Sequence, residues 1–289
     1  MKLSIITINY NHKEGLLKTI KSVVNQTYHD IEYIVIDGGS TDGSVDVVKQ
    51  YEDSISYWVS EPDCGIYNAM NKGVAKATGE YCLFLNSGDS LHGTDSILEF
   101  VSKLSGEDLL MGRVMCIPSG RIAWDDISYP LTMLDFYLGG PVPHQACLIR
   151  RALFNKHLYD EELRIVSDWK FFLQVIVQDQ CSYKIVDTVV SDFEEGGISS
   201  NRQKCNIERE KVLRELLPYA ILMDYKRFEN GRNYSDDVYD SFYSELKKNN
   251  RRCANLIYRC TVLLLRPLSH IFGSLSFSRR YSTHIEKYV

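Results

Sequence analysis

The chain has 289 residues, 44% of them apolar and 25% charged, with a formal net charge of -5. That length holds one large domain with an appendage, or two domains, and the composition is ordinary for a folded protein with a sizeable core. The acidic balance argues against a general nucleic-acid binder. The 8 cysteines include no CxxC pair and no Cys/His cluster at zinc spacing, so they read as small, reduced core residues rather than ligands or nucleophiles. The opening Met1-Lys2-Leu3-Ser4-Ile5-Ile6-Thr7-Ile8 reads as a strand. It lacks the apolar length and cleavage site of a signal peptide, so the chain is expected to begin within the fold and to be cytoplasmic.

Residues 3–8 are rich in Ile and hardly alternate, which suits a strand covered on both faces. Leu16, Leu17, Ile20, Val23 and Val24 give one apolar face to a helix over 14–25. A second strand over 31–36 ends at Asp37, and a Gly-containing turn leads into a helix near 43–51. A strand over 55–60, a helix over 66–77, a strand over 80–85, a helix over 94–104 and a strand over 108–115 follow. This alternation predicts an α/β fold with a mostly parallel sheet flanked by helices. The pattern then loosens, with a strand over 145–150, a helix over 168–178 and one or two strands within 182–193. No strand is evident from about residue 200 onward. The expected organisation is a catalytic domain over 1–200 and a helical C-terminal extension over 201–289.

The strand Tyr81-Cys82-Leu83-Phe84-Leu85 places Asp89 just past its carboxyl end, the edge where open α/β sheets bind ligands. Asp37, Asp63 and Asp89 each follow one of three consecutive strands. Three carboxylates at one edge repel each other unless a cation or polar ligand lies among them. A hard carboxylate in a Gly-containing turn suits a divalent metal that also holds phosphate oxygens. Each residue also has a plain structural alternative. Asp42 or Thr41 could cap the helix after strand two, Asp63 the next one, and Lys72 could be a solvated lysine instead of a phosphate or base contact. Asp168 opens a later helix, either as a dipole-stabilised residue or as a general base kept ionised there. His144 follows the stiff Pro141-Val142-Pro143 segment. Gly196-Gly197 either cradles phosphate or ends the domain. No GxGxxG follows strand one, where Asn9-Tyr10-Asn11-His12 stands, which disfavours a dinucleotide-dependent dehydrogenase.

Taken in order, several short motifs resemble the family 2 glycosyltransferases. They are Ile5-Ile6-Thr7-Ile8-Asn9-Tyr10-Asn11, Ser22-Val23-Val24-Asn25-Gln26-Thr27-Tyr28 and Ile36-Asp37-Gly38-Gly39-Ser40-Thr41-Asp42-Gly43. Asn71-Lys72-Gly73, Ala77-Thr78-Gly79-Glu80-Tyr81, Leu85-Asn86-Ser87-Gly88-Asp89 and Ser167-Asp168-Trp169 continue the series. The match covers roughly residues 1–200 and looks most like bacterial enzymes that build surface polysaccharide. The resemblance implies the GT-A fold, a nucleoside-diphosphate sugar donor with UDP as the expected nucleotide, a glycan or lipid-linked acceptor, and Mg²⁺ or Mn²⁺. It assigns donor contacts to Thr7, Asn9, Asp37, Asp63, Lys72, Ser87 and Gly88, the metal to Asp89, and the catalytic base to Asp168. His144, Gln145 and Trp169 are expected near acceptor or phosphate. The chain departs from the family's metal motif in having Asn86 and Gly88 where carboxylates are common, and it has Asn68 where Asp is frequent. The other classes are a non-catalytic nucleotide-sugar-binding subunit and a sugar nucleotidyltransferase. The latter would be expected to show a Gly-rich, Lys/Arg-bearing loop after strand one.

Residues 253–275 are apolar, interrupted by Arg259 and Arg266 and broken at Pro267, and are flanked by Lys247, Lys248, Arg251, Arg252, Arg279 and Arg280. Their apolar runs are too short to span a bilayer. Two readings remain open: a helix lying on an anionic membrane surface through 253–280, peripheral on the inner face, or a helix packed on the catalytic domain or in a homodimer.

Overall fold

Strand β1 (Leu3–Asn9) is buried along its whole length, as its unalternating Ile-rich sequence predicts for a strand covered on both faces. The computed structural model describes residues 1–123, 130–140 and 142–229. Its contacts divide the chain into Met1–Pro218 and Tyr219–Val289, and the first unit holds everything that follows. Helix α1 (Lys13–Val24) buries Leu16, Thr19, Ile20 and Val23 on one face. Then come β2 (Ile31–Asp37), α2 (Ser44–Gln50), β3 (Tyr57–Ser60), α3 (Ile66–Lys76) and β4 (Tyr81–Phe84). The two-residue strand β5 (Ser90–Leu91), α4 (Ser96–Val101), β6 (Leu109–Ile117), β7 (Ile122–Ala123) and α5 (Met133–Tyr137) follow, then β8 (Cys147–Arg150), α6 (Ser167–Leu173), β9 (Tyr183–Glu194) and α7 (Arg202–Leu216).

The strands form one sheet in the order β3-β2-β1-β4-β8-β6-β9-β5, with β7 on β6. Strands β1 to β4 run parallel, as the strand–helix alternation requires. Strand β8 runs antiparallel to both of its neighbours, β4 and β6. The sheet is therefore mixed. This reversal brings the residues just before β8, His144 and Gln145, to the carboxyl edge of the parallel strands. The expected helix over 168–178 splits into α6 and a π-helical turn over Gln174–Gln178. Strands β5 and β7 and helix α5 are too short to leave a periodic signal.

Helix α7 belongs to the first unit. Glu208 accepts from the N–H groups of Arg164, Ile165 and Val166 at 3.0, 2.9 and 3.2 Å, and Lys170 pairs with Glu215 at 3.0 Å. These anchors move the division to Pro218, not the expected position near 200. No helix among the described residues is long and apolar enough to cross a membrane. The basic, apolar segment over 253–280, with its membrane and dimer readings, lies outside the described residues. Of the cysteines described, Cys82, Cys116, Cys147 and Cys205 are buried and none is disulfide-bonded. Burial pushes the Cys82 thiol up to about 12, which agrees with an inert core residue.

Candidate active site

Three parallel strands end in a row of polar residues. Asn9 is in register with Asp37, and Asp37 with Ser60. The Asp37 carboxylate is fully buried and accepts from Asn9 Nδ2 at 2.7 Å, the Ser40 N–H at 2.9 Å, and the Ser40 and Ser60 hydroxyls at 2.6 Å each. Burial alone would push its pKa up, yet these donors hold it below the usual carboxylate range. Asn9 Oδ1 is buried beside it with no partner. Asp63 comes close as well: its Oδ2 lies 2.5 Å from where a Cβ on Gly38 would stand, so a side chain there would displace the Asp63 carboxylate. The other Asp63 oxygen accepts from the Gly65 N–H at 2.9 Å.

Two expected donor contacts are engaged elsewhere. Thr7 is fully buried two registers before the strand end, and its hydroxyl meets that of Tyr33 at 3.0 Å. Lys72 pairs with Glu61 at 2.7 Å and donates to the Pro62 carbonyl at 3.3 Å, bracing the loop after β3.

Past β4, the turn Asn86–Asp89 is pinned from below by α1. Thr19 Oγ1 donates to the Asp89 carbonyl at 2.6 Å and accepts from the Gly88 N–H at 3.1 Å. Lys18 Nζ donates to the Gly88 carbonyl at 2.8 Å, and His12 Nδ1 meets the Ser87 carbonyl at 3.1 Å. Gly88 has φ +106°, which strains any other residue, and Glu194 Oε2 lies 2.5 Å from where its Cβ would be, so a side chain would also displace that carboxylate. A cleft of about 380 Å³ opens beside it, between His12, Glu14 and Lys18 on one side and Pro118, Glu194 and Glu195 on the other. Asp89 is 4% exposed. Burial pushes its carboxyl up to about 6, against the pull of His144, the Glu194 N–H, the Gln145 side chain and Lys18. Asn86 Oδ1 is also buried without a partner. Among the described residues, no group of three or more His, Cys, Asp or Glu side chains stands together as a ready-made metal cage.

Asp168 is the second residue of α6, and no side chain caps that helix. Its Oδ1 accepts from the Tyr67 hydroxyl at 2.9 Å and its Oδ2 from His144 Nδ1 at 2.8 Å. Burial opposes ionisation, but His144 and Tyr67 bring the carboxyl net below its ordinary range. Tyr67 itself is raised well above the usual phenol by burial and by Asp168, so it stays a donor. The opposite edge of the imidazole, Nε2, lies 3.4 Å from Asn86 Nδ2. The imidazole therefore meets the Asp168 carboxylate with one nitrogen and the Asn86 amide with the other. One histidine thus joins the turn after β4 to the carboxylate on α6.

The expected residues Asn9, Asp37 and Asp63 cluster at the strand ends, Ser87, Gly88, Asp89 and Gln145 gather at the turn after β4, and His144 connects that turn to Asp168. Trp169 is 2% exposed, with its indole Nε1 buried and unpartnered. Tyr67, Lys18, Thr19 and His12 were not anticipated. Of the four, Tyr67 carries a readable signal, in Gly65-Ile66-Tyr67.

The profile of glycosyl transferase family 2 matches residues 4–158. An uncharacterized glycosyltransferase of Mycobacterium tuberculosis is 36% identical over 258 residues, 85% of this chain and 98% of that protein. A PGL/p-HBAD biosynthesis glycosyltransferase of Mycobacterium bovis is 31% identical over 205 residues, 68% of this chain and 78% of that protein. Among solved structures, Staphylococcus aureus TarS (1-349) in complex with UDP-GlcNAc aligns with a TM-score of 0.58 at 20% identity, over 70% of this chain and 61% of that one. The mannosyltransferase PcManGT from Pyrobaculum calidifontis, in complex with GDP-Man and Mn²⁺, aligns with a TM-score of 0.58 at 14% identity, over 99% of this chain and 79% of that one. At those identities the likeness is one of fold, the GT-A fold expected from the sequence.

Proposed function

The chain belongs to glycosyl transferase family 2, and from that premise we propose an inverting, metal-assisted transfer of a sugar from a nucleoside diphosphate, UDP by preference, to a hydroxyl of a glycan or lipid-linked acceptor. Surface polysaccharide synthesis is the setting the motifs favour. The observation that carries the reading is the single imidazole shared by Asn86, in the turn after β4, and Asp168. It ties the donor end of the sheet to a carboxylate suited to proton transfer.

In this reading the row Asn9–Asp37–Ser60 receives the nucleoside. Asp37 is already an ordered anion, and the free Asn9 Oδ1 is an acceptor awaiting a donor. Asp63 stands next to it. The Asn86–Asp89 turn receives the diphosphate. Hard oxygen donors suit Mg²⁺ or Mn²⁺, and a buried carboxylate raised to about 6 beside an unpartnered amide oxygen fits such a cation. Asp89, with Asn86 Oδ1 and the diphosphate oxygens, would hold it. When bound, such an ion offsets the negative charge that develops on a leaving diphosphate.

Asp168 takes the proton of the acceptor hydroxyl. The hydroxyl oxygen attacks the anomeric carbon from the face opposite the diphosphate, the bond to the diphosphate breaks, and the anomeric centre inverts. Tyr67 and His144 hold the carboxylate ionised and aimed, and Gln145 lies beside Asp89. Asp168→Asn is expected to cut turnover by about two to four orders of magnitude, the range for a lost general base. Product analysis is the measurement: glycoside plus nucleoside diphosphate supports transfer. Pyrophosphate release would indicate a nucleotidyltransferase, and no turnover by the wild type a binding subunit. Near-normal transfer by Asp168→Asn removes the base assignment.

A further inference from the structure

Among the described residues, Arg209 is a cation with no ion pair of its own; the charge that acts on it is that of Asp168. It projects from α7 onto Trp169, with the guanidinium carbon 5.7 Å from the ring centroid. Its Nη1 lies 2.7 Å from where a Cβ on Gly139 would stand, so that glycine makes room for it. Its Nε is buried with no hydrogen-bond partner. The carboxylates of α7 are committed elsewhere. Glu208 accepts three backbone N–H groups, Glu210 pairs with Arg214 at 2.8 Å, and Glu215 pairs with Lys170 at 3.0 Å. Asp168 is held by Tyr67 and His144. Burial lowers the Arg209 pKa, with Cys205 and Asp168 opposing, yet a guanidinium keeps its proton.

A half-buried guanidinium whose Nε is buried with no hydrogen-bond partner among the described residues is costly, and the anchoring of α7 through Glu208 and Glu215 does not need it. An oxyanion would satisfy it, because the guanidinium fork matches phosphate or carboxylate geometry. Position says which substrate brings that oxyanion. Contacts run from Asn86 through His144 to Asp168, and Arg209 lies over the residue that follows, Trp169. Arg209 is therefore at the far end of this series from the Asn86–Asp89 turn. We propose that Arg209 anchors a phosphate or carboxylate group of the acceptor beside Asp168, so that the enzyme selects anionic acceptors. This rests on the reading of Asp168 as the base for an acceptor hydroxyl.

The test uses glucose 6-phosphate and glucose as paired probes, with the full-length protein saturated with UDP and binding followed by saturation-transfer NMR. The wild type is expected to prefer the phosphorylated probe by about tenfold or more, as a charge-assisted contact implies. R209Q should lose that preference while its UDP affinity is unchanged. R209K keeps the charge without the fork and should show a preference reduced severalfold. If R209Q does not fold, R209K decides, and an undiminished preference in it overturns the proposal. Equal binding of both probes by the wild type, or a preference that survives in R209Q, also overturns it. A wild-type preference found only in the absence of UDP and lost in its presence would assign the anion site to the donor diphosphate and likewise overturn it. A wild type that fails to bind UDP would strike UDP as the donor nucleotide instead, leaving the probe comparison to judge Arg209 on its own.

Discussion

Asp37 and Asp89 stand at the same edge of the same sheet, both buried, and their surroundings push them in opposite directions. Asp37 collects donors from Asn9, Ser40 and Ser60 and is held below the ordinary carboxylate range. Asp89 accepts one long backbone hydrogen bond, from Glu194 at 3.3 Å, and burial pushes it up to about 6. The first is an anion completed by its own protein. The second is a carboxyl whose partners do not outweigh its burial. The difference teaches that burial alone does not set a carboxylate's ionisation: the donors around Asp37 keep it charged, and the proposed cation would do for Asp89 what those donors do for Asp37.

The largest effect should come from removing the Asp89 carboxyl. Asp89→Asn is expected to lower glycosyl transfer by about a hundredfold or more, because offsetting leaving-group charge is worth several kcal/mol. Chelation with EDTA should do the same to the wild type and little further to the variant. Steady-state turnover with and without added Mn²⁺ measures it. Full activity in EDTA would remove the contrast between the two aspartates.

Stability should move the other way. The Asp89 carboxyl titrates near 3.8 unfolded and about 6 folded, so its ionised form opposes folding. That cost is fully present above about pH 6 and disappears as the pH falls through 6 toward 3.8. Metal-free Asp89→Asn should therefore be more stable than metal-free wild type at pH 8 by about 1–3 kcal/mol. The gap should close in acid. Denaturant unfolding across pH checks it.

Asp37→Asn carries the opposite sign. Its folded pKa is lowered, so its contribution is present at neutral pH and is lost as the pH falls through that lowered value. Replacing it strips charge from several buried donors and should cost about 1–3 kcal/mol at pH 7. Nucleoside diphosphate binding, read by calorimetry, should weaken with it. The two wild-type-minus-variant curves should slope in opposite directions with pH, and parallel curves would erase the distinction.

The donor edge was legible because parallel strands buried on both faces announce themselves, and their last residues then fall in register: Asn9, Asp37, Ser60. The order Asp37, Asp63, Asp89 after consecutive strands pointed the same way. The link between Asp89's turn and Asp168 was not legible. It depends on β8 running backwards between β4 and β6, and a short apolar run has no sign of direction. His144 consequently looked like a lone histidine, though it joins two halves of the site. Asp168 was ambiguous for a different reason. A carboxylate early in a helix is usually a matter of capping or dipole, and the contacts from Tyr67 and His144 come from parts of the chain far from it in sequence. Lys18 and Thr19 were hidden because a helix seen as one apolar stripe does not reveal what its polar members touch.

The smallest effect should come from Lys72, the residue for which sequence offered phosphate contact and solvated surface equally. Its ammonium pairs with Glu61 at 2.7 Å, with the Glu61 side chain 53% exposed. Exposed pairs of this kind contribute about 0–1 kcal/mol. A lysine that contacted phosphate would instead show its loss in donor affinity, since a charge-assisted contact to a ligand is worth more than a screened surface pair. Lys72→Ala should therefore leave the nucleoside diphosphate Kd within about twofold and shift stability by less than about 1 kcal/mol. A tenfold loss of nucleotide affinity would return Lys72 to the donor site, and would mean that Glu61 releases it when the ligand binds.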